Sequence, residues 1–175
     1  MMKVIALLLV LVIIGALIFA AMKPDSFRIE RSTTIKAPPE KVFALINDFH
    51  QWEAWSPWEK IDPALKRTYS GATDGRGAIY EWTGNKDIGQ GGMEITESIP
   101  SSKVALKLDF VTPFEAHNFV DFTLNTQGEV TTVTQAMYGP SPYISKLMTI
   151  FFSMEKMVGS KYDEGLANLK ALAEK

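Results

Sequence analysis

Cysteine is absent from the 175 residues, so no disulfide supports the fold and the chain suits either side of a membrane. Histidine is nearly absent. His50 and His117 stand alone, with no His-Glu-x-x-His motif and no paired spacing, so neither a metal centre nor a cofactor is expected. Clusters of lysine and arginine are missing as well. Past residue 23, 16 basic residues face 20 acidic ones, a balance of −4, and without a basic patch nucleic acid is not an expected partner. No Gly-x-Ser-x-Gly elbow occurs. The glycine-rich stretches Gly71 to Gly77 and Gly84 to Gly92 lack the Gly-Lys-Ser/Thr ending of a nucleotide loop and read as turns between strands. His50 reads as a packing or capping residue at a helix end, His117 as a surface residue at a strand start, and Asp109 and Asp121 as solvated carboxylates. No motif marks a catalytic residue.

What is present begins with nineteen apolar residues, Val4 to Met22, flanked by Lys3 and Lys23. As a helix rising 1.5 Å per residue this run covers roughly 28 Å, close to the thickness of a bilayer core. It is read as an uncleaved single-pass anchor over residues 1–23. The alternative is a signal sequence cut after Ala20 or Ala21, which leaves a secreted or periplasmic domain, although Ile18 or Phe19 is then too large for the third position before the cut. Lys3 and the amino terminus on one side, and Lys23, Arg28 and Arg31 on the other, do not fix an orientation.

Residues 24–175 are enough for one domain with a sizeable core and short for two. Phe27, Ile29, Thr33 and Ile35 alternate with polar residues, the period of a strand covered on one face, with Arg31 interrupting the apolar side. Ala37-Pro38-Pro39-Glu40 ends that strand and starts a helix, whose apolar positions are Val42, Leu45, Ile46 and Phe49. Three of the four tryptophans, Trp52, Trp55 and Trp58, follow within seven residues. Pro57 breaks any continuous helix there, so the rings form either a hydrophobic plug or part of a ligand site.

Six strands are predicted next, at Lys66 to Ser70, Gly77 to Thr83, Gly92 to Ile99, Val104 to Phe110, Ala116 to Asn125 and Glu129 to Tyr138, joined by links too short for crossover helices. Tyr80 and Trp82 share one face, as do Val104, Leu106, Leu108 and Phe110, and Val120, Phe122 and Leu124; Glu81, Lys107, Asp109 and Asp121 mark the wet side. Pro140 to Phe152 is unusually apolar for a loop and is read as a pocket gate or a surface resting on lipid. A long helix is predicted from Ser153 to Ala173, with Met154, Val158, Tyr162, Leu166, Leu169 and Ala173 as its apolar stripe. Gly159 and Gly165 within it point to close packing on the sheet. The order of elements gives an α+β fold, a curved antiparallel sheet of about seven strands wrapped around the terminal helix.

Phe27 to Trp58, with Ile35-Lys36-Ala37-Pro38-Pro39-Glu40-Lys41-Val42-Phe43 and Trp52-Glu53-Ala54-Trp55-Ser56-Pro57-Trp58, and the ending Gly165-Leu166-Ala167-Asn168-Leu169-Lys170, resemble the polyketide cyclase/dehydrase and lipid-transport family of the START and Bet v 1-like superfamily. The resemblance covers nearly all of residues 24–175 and implies a helix-grip fold with an internal apolar cavity. Gln135 departs from it, standing where related members favour Trp before a Met-x-Gly ending, here Met137-Tyr138-Gly139, so detailed ligand preferences do not carry over.

The candidate cavity or mouth residues are Trp52, Trp55, Trp58, Tyr80, Trp82, Phe110, Phe122, Met137, Met148, Phe152 and Met157, with the methionines as flexible lining or simple core. The leading expectation is membrane-tethered binding or transport of a hydrophobic small molecule or lipid. Two alternatives stand beside it. One is a cofactor-free cyclase- or dehydratase-like enzyme using an inward polar residue such as Tyr80, Glu81, Glu97 or Tyr138; the other is an interaction module that meets an unspecified protein through Tyr143 to Phe152.

Overall fold

A computed structural model describes residues 2–175. Helix α1 (Met2–Met22) precedes strand β1 (Ser26–Ile35), helix α2 (Pro39–Asn47) and the short helix α3 (Trp52–Trp55), with 3-10 turns at Phe49–Gln51 and Pro57–Lys60. Strands β2 (Lys66–Gly71), β3 (Ala78–Thr83), β4 (Gln90–Ile99), β5 (Lys103–Thr112), β6 (Ala116–Gln127) and β7 (Val130–Pro140) follow, then helices α4 (Tyr143–Phe151) and α5 (Met154–Ala173). The seven strands form one antiparallel sheet in the order β1-β7-β6-β5-β4-β3-β2. Five short links join β2 to β7 into a meander, and the α2–α3 region carries the chain from one edge strand to the other.

Two register shifts in the β4–β5 pair, between Gln90 and Gly91 and between Ile95 and Glu97, bend the sheet into a trough, because a bulge adds local twist. At the first of them Gly91 is required. A side chain there would come within 2.5 Å of the Asp109 carbonyl oxygen and of the Trp82 ring. The concave face carries Tyr80, Trp82, Leu106, Leu108, Val120, Phe122, Val133 and Met137, all buried. Helix α5 lies along the trough, capped at its start by Ser153, whose hydroxyl accepts from the Lys156 amide.

The α5 stripe buries Tyr162, Leu166, Leu169 and Ala173, the positions its periodicity assigns to the core. Gly165 lets the helix approach the α3 region, since a methyl there would sit 3.1 Å from Pro57 Cδ. Arg31, the apparent fault in the β1 pattern, is explained by α5: its guanidinium pairs with Glu155 at 2.6 Å and Asp163 at 3.1 Å across the strand–helix interface.

Helix α1 has the length and apolarity of a membrane span or a signal sequence, with mean hydropathy 3.3 and almost no burial against the rest of the chain. One correction to the expected layout concerns residues 140–152, which hold helix α4 and not an irregular loop. The helix is turned with its polar residues inward. The Lys146 ammonium is buried and bonds to the Asp25 carboxylate, and Lys23 Nζ donates to Thr149 Oγ1 at 2.8 Å. Tyr143 donates its hydroxyl to the Leu17 carbonyl of α1 at 2.9 Å. Ile144, Met148 and Phe151 face outward and are exposed.

Candidate functional site

The α3 region is pinned before it can shape anything. Trp52 Nε1 donates to the Ile46 carbonyl at 2.9 Å and Trp55 Nε1 to the Leu45 carbonyl at 3.0 Å, so both indoles lock onto the end of α2 with no polar atom left over. Asn168 of α5 donates to the Trp55 carbonyl at 3.1 Å. The two rings pack edge-on against Phe122, with centroids 5.9 and 6.1 Å away. This cluster closes one end of the trough.

Beyond it the sheet and α5 part. A cavity of about 290 Å³ remains between them, walled by Trp82, Leu106, Leu108, Phe110, Val120 and Met137 from the sheet, by Trp52, Trp55 and Trp58 from the α3 region, and by Val158, Tyr162 and Gly165 from α5. Lys86, Asp87, Thr112 and Pro113, all exposed, border its mouth between the β3–β4 and β5–β6 links. A groove of about 390 Å³ outside, between β1 and the far side of α5, is bordered by Ser32, Thr33, Asp163, Lys170 and Glu174. It is more open than the cavity, with Leu166, Ala167 and Ala171 also in its lining.

One of the charged residues lining the cavity is buried. Glu59, in the 3-10 turn after Pro57, is buried; one oxygen accepts from the Tyr80 hydroxyl at 2.6 Å and the other from Arg67 Nε at 2.6 Å. Arg67 also donates to the Glu59 and Leu65 carbonyls, each at 3.2 Å. A buried carboxylate is tolerated because it is paired and fully hydrogen-bonded. Burial, reinforced by the Glu59 carboxylate, pushes the Tyr80 hydroxyl far above the usual phenol range. Burial also raises Tyr162. Both phenols therefore remain protonated near neutral pH. Both Glu59 oxygens are engaged within the wall, one by Tyr80 and one by Arg67.

Of the residues singled out by sequence, the structure brings Trp52, Trp55, Trp58, Tyr80, Trp82, Phe110 and Met137 together around the cavity. Phe122 is sealed behind Trp52 and Trp55 and does not reach it. Met148, Phe152 and Met157 are placed elsewhere: all three are exposed, Met148 on α4 and the others at the α4–α5 corner. Phe152, expected as a gate, is exposed and stands outside the residues that line the cavity. Among the inward polar candidates only Tyr80 faces the cavity. Glu81 is exposed, Glu97 pairs with Lys103, and Tyr138 donates to Asp121 on the outer face. His50 stacks on Tyr69 with ring centroids 4.2 Å apart, and His117 pairs with Asp109 at 2.6 Å, both outside the cavity lining. Sequence reasoning missed Glu59, Tyr162 and the mouth residues. The signal for Tyr162 was its place on the α5 stripe; for Glu59 there was none, since its partners lie eight and 21 positions away.

Comparison with known proteins agrees with this architecture. Protein CV1439 from Chromobacterium violaceum superposes with a TM-score of 0.60 at 16% identity, over 87% of this chain and 99% of that one. The ginseng major latex-like protein 151 from Panax ginseng gives 0.61 at 13% identity, over 87% and 100%. Aha1 from Colwellia psychrerythraea, solved as a dimer, gives 0.57 at 18% identity, over 85% and 96%. At these identities the likeness is one of fold, the helix-grip arrangement of the START and Bet v 1-like proteins. No curated protein sequence matches the chain. Residues 26–174, the whole of the sheet with α2 to α5, match the family described as polyketide cyclase / dehydrase and lipid transport, and the chain belongs to that family.

Proposed function

We propose that this chain is a membrane-tethered binding protein that carries one small hydrophobic molecule in the cavity between its sheet and α5. The observation that carries the reading is the cavity itself: about 290 Å³ walled mainly by apolar side chains and not filled by them. That volume lies at the lower end of the range for small-molecule sites and falls well short of what a two-chain lipid needs. Each methylene taken from water into it contributes ~0.8 kcal/mol, so a compact ring system or a single short chain binds without a charged anchor.

The tether is supported by α1 and by the inverted face of α4. If α1 spans a bilayer, the Tyr143 contact at Leu17 holds α4 against the membrane surface, with Ile144, Met148 and Phe151 toward lipid. The test of the ligand reading is extraction and native mass spectrometry of the full chain purified from membranes. A reproducible apolar molecule of fewer than about twenty heavy atoms is expected from the cavity volume; repeated recovery of the empty chain, with no displacement of an apolar dye by any added compound, rejects it. For the tether, the chain is expected in carbonate-washed membranes with its α1 segment intact. Recovery only of a soluble form cut after Ala20 or Ala21 rejects that part alone.

A further inference from the structure

We infer that the cavity selects a neutral ligand bearing a hydroxyl or carbonyl group, which is received at its inner end by the Gln135 amide and the Tyr162 hydroxyl. The inference rests on the ligand reading above and specifies its chemistry.

The polar groups of the cavity fall into two kinds. Tyr80, Glu59 and Arg67 satisfy one another and offer little to a guest. Gln135 and Tyr162 do not fit that description. Gln135 is 6% exposed and Tyr162 5%, and both line the cavity. The Tyr162 hydroxyl lies beside the Gln135 amide. A primary amide offers two donors and an acceptor, so one tyrosine hydroxyl leaves most of that capacity unused. Among the described residues no side-chain nitrogen or oxygen is both sealed and unpartnered, so the unused amide atoms open onto the cavity space.

Register fixes where this polar pair stands. Val104, Phe122 and Gln135 lie opposite one another across β5, β6 and β7, and Leu106, Val120 and Met137 form the next row toward the mouth. Gln135 is therefore two residues, roughly 7 Å, deeper than Met137. A guest directs its polar group to the inner end and its apolar body along Val120 and Leu108 toward Phe110 and Pro113.

Charge decides between a neutral head and an ionised one. The cations around the inner end are already paired: Arg31, opposite Gln135 in the β1–β7 register, with Glu155 and Asp163, Arg67 with Glu59, and Lys161 with Glu164 at 2.8 Å. An ionised head buried beside Gln135 is left uncompensated, whereas a hydroxyl or carbonyl exchanges its water hydrogen bonds for those of the amide.

The experiment uses the full chain in lipid nanodiscs, with empty discs subtracted, and three probes of one shape: naphthalene, naphthol and naphthoate. Naphthol is expected to bind about tenfold more tightly than naphthalene, the worth of a buried hydrogen bond, and also more tightly than naphthoate. Gln135→Leu is expected to erase the preference for naphthol while naphthalene binding persists. Tyr162→Phe, which keeps the packing, is expected to reduce it and provides the reading if the first variant fails to fold. Equal binding of naphthol and naphthalene, or naphthoate matching naphthol, overturns this inference and leaves the ligand reading standing. A preference unchanged in both variants overturns the placement. Failure of all three probes overturns the ligand reading itself.

Discussion

The two halves of α5 differ more than their sequence suggests. Beyond Gly165 the inward residues are sealed: Leu166, Leu169 and Ala173 lie at 2% exposure or less over α2, α3 and the closed end of the sheet. Before Tyr162 the same helix spans open space, with Val158 over the cavity and Met157 exposed at 60%. One continuous helix thus divides its labour, the second half holding the fold and the first roofing the site. Close packing is what confers stability, and its absence under the first half is what leaves room for a guest.

The strongest way to break this contrast is in the sealed half. Trp55→Ala removes a ring fully buried against Phe122 and Gly165 and is expected to cost ~3–5 kcal/mol in a denaturant titration. A loss below ~1 kcal/mol means that the closed end is not where the fold is held. At the boundary, Glu59→Leu strands the Arg67 guanidinium and the Tyr80 hydroxyl. A loss of ~2–3 kcal/mol is expected, and adding Arg67→Met is expected to restore part of it. No recovery in the double variant counts against the pairing as the cause.

In the open half, Val158→Trp projects a large ring into the cavity mouth. Stability is expected to change by less than ~1 kcal/mol because the ring enters space the cavity already provides, while naphthalene affinity falls at least tenfold. A large loss of stability with unchanged affinity reverses the assignment of the two halves. The smallest effect lies outside both, on the convex face. The hydrogen bond from His117 to Asp109, with Glu115 nearby, holds the imidazolium above its ordinary value. A group raised on folding stabilises fully below its unfolded value near 6.5 and loses that contribution as pH climbs through the folded one. A slight fall in melting temperature between pH 6 and 8 is expected to vanish in His117→Gln; its persistence assigns the effect to another group.

Much of the fold was legible because burial follows period. The alternation of β3, β5 and β6 and the stripe of α5 each repeat several times, and the structure extends the strands by only one or two residues, as at β4 and β5. Helix α4 was not legible. It begins after Pro142 without a side-chain cap, runs nine residues, and presents its apolar side outward, so neither boundary nor pattern resembled a core helix. The same inversion leaves Met148 and Phe152 exposed and outside the cavity lining, a placement that the apolar character of the segment does not reveal. Tyr80, Trp82 and Phe110 were found because they sit on the concave face of regular strands. Glu59 was hidden because its environment is assembled from three separated pieces of chain, which no local spacing encodes.

Only Lys23, Pro24 and Asp25 separate the end of α1 from the first residue of β1. Fully extended, that connection reaches at most about 14 Å, and the Asp25–Lys146 and Lys23–Thr149 contacts shorten it further. A domain held to a membrane-spanning α1 by so short a connection would not reach a second membrane. On the reading that α1 spans a bilayer, the binding domain patrols a single surface in two dimensions, and its guest must arrive from that leaflet or from a partner already within reach of it.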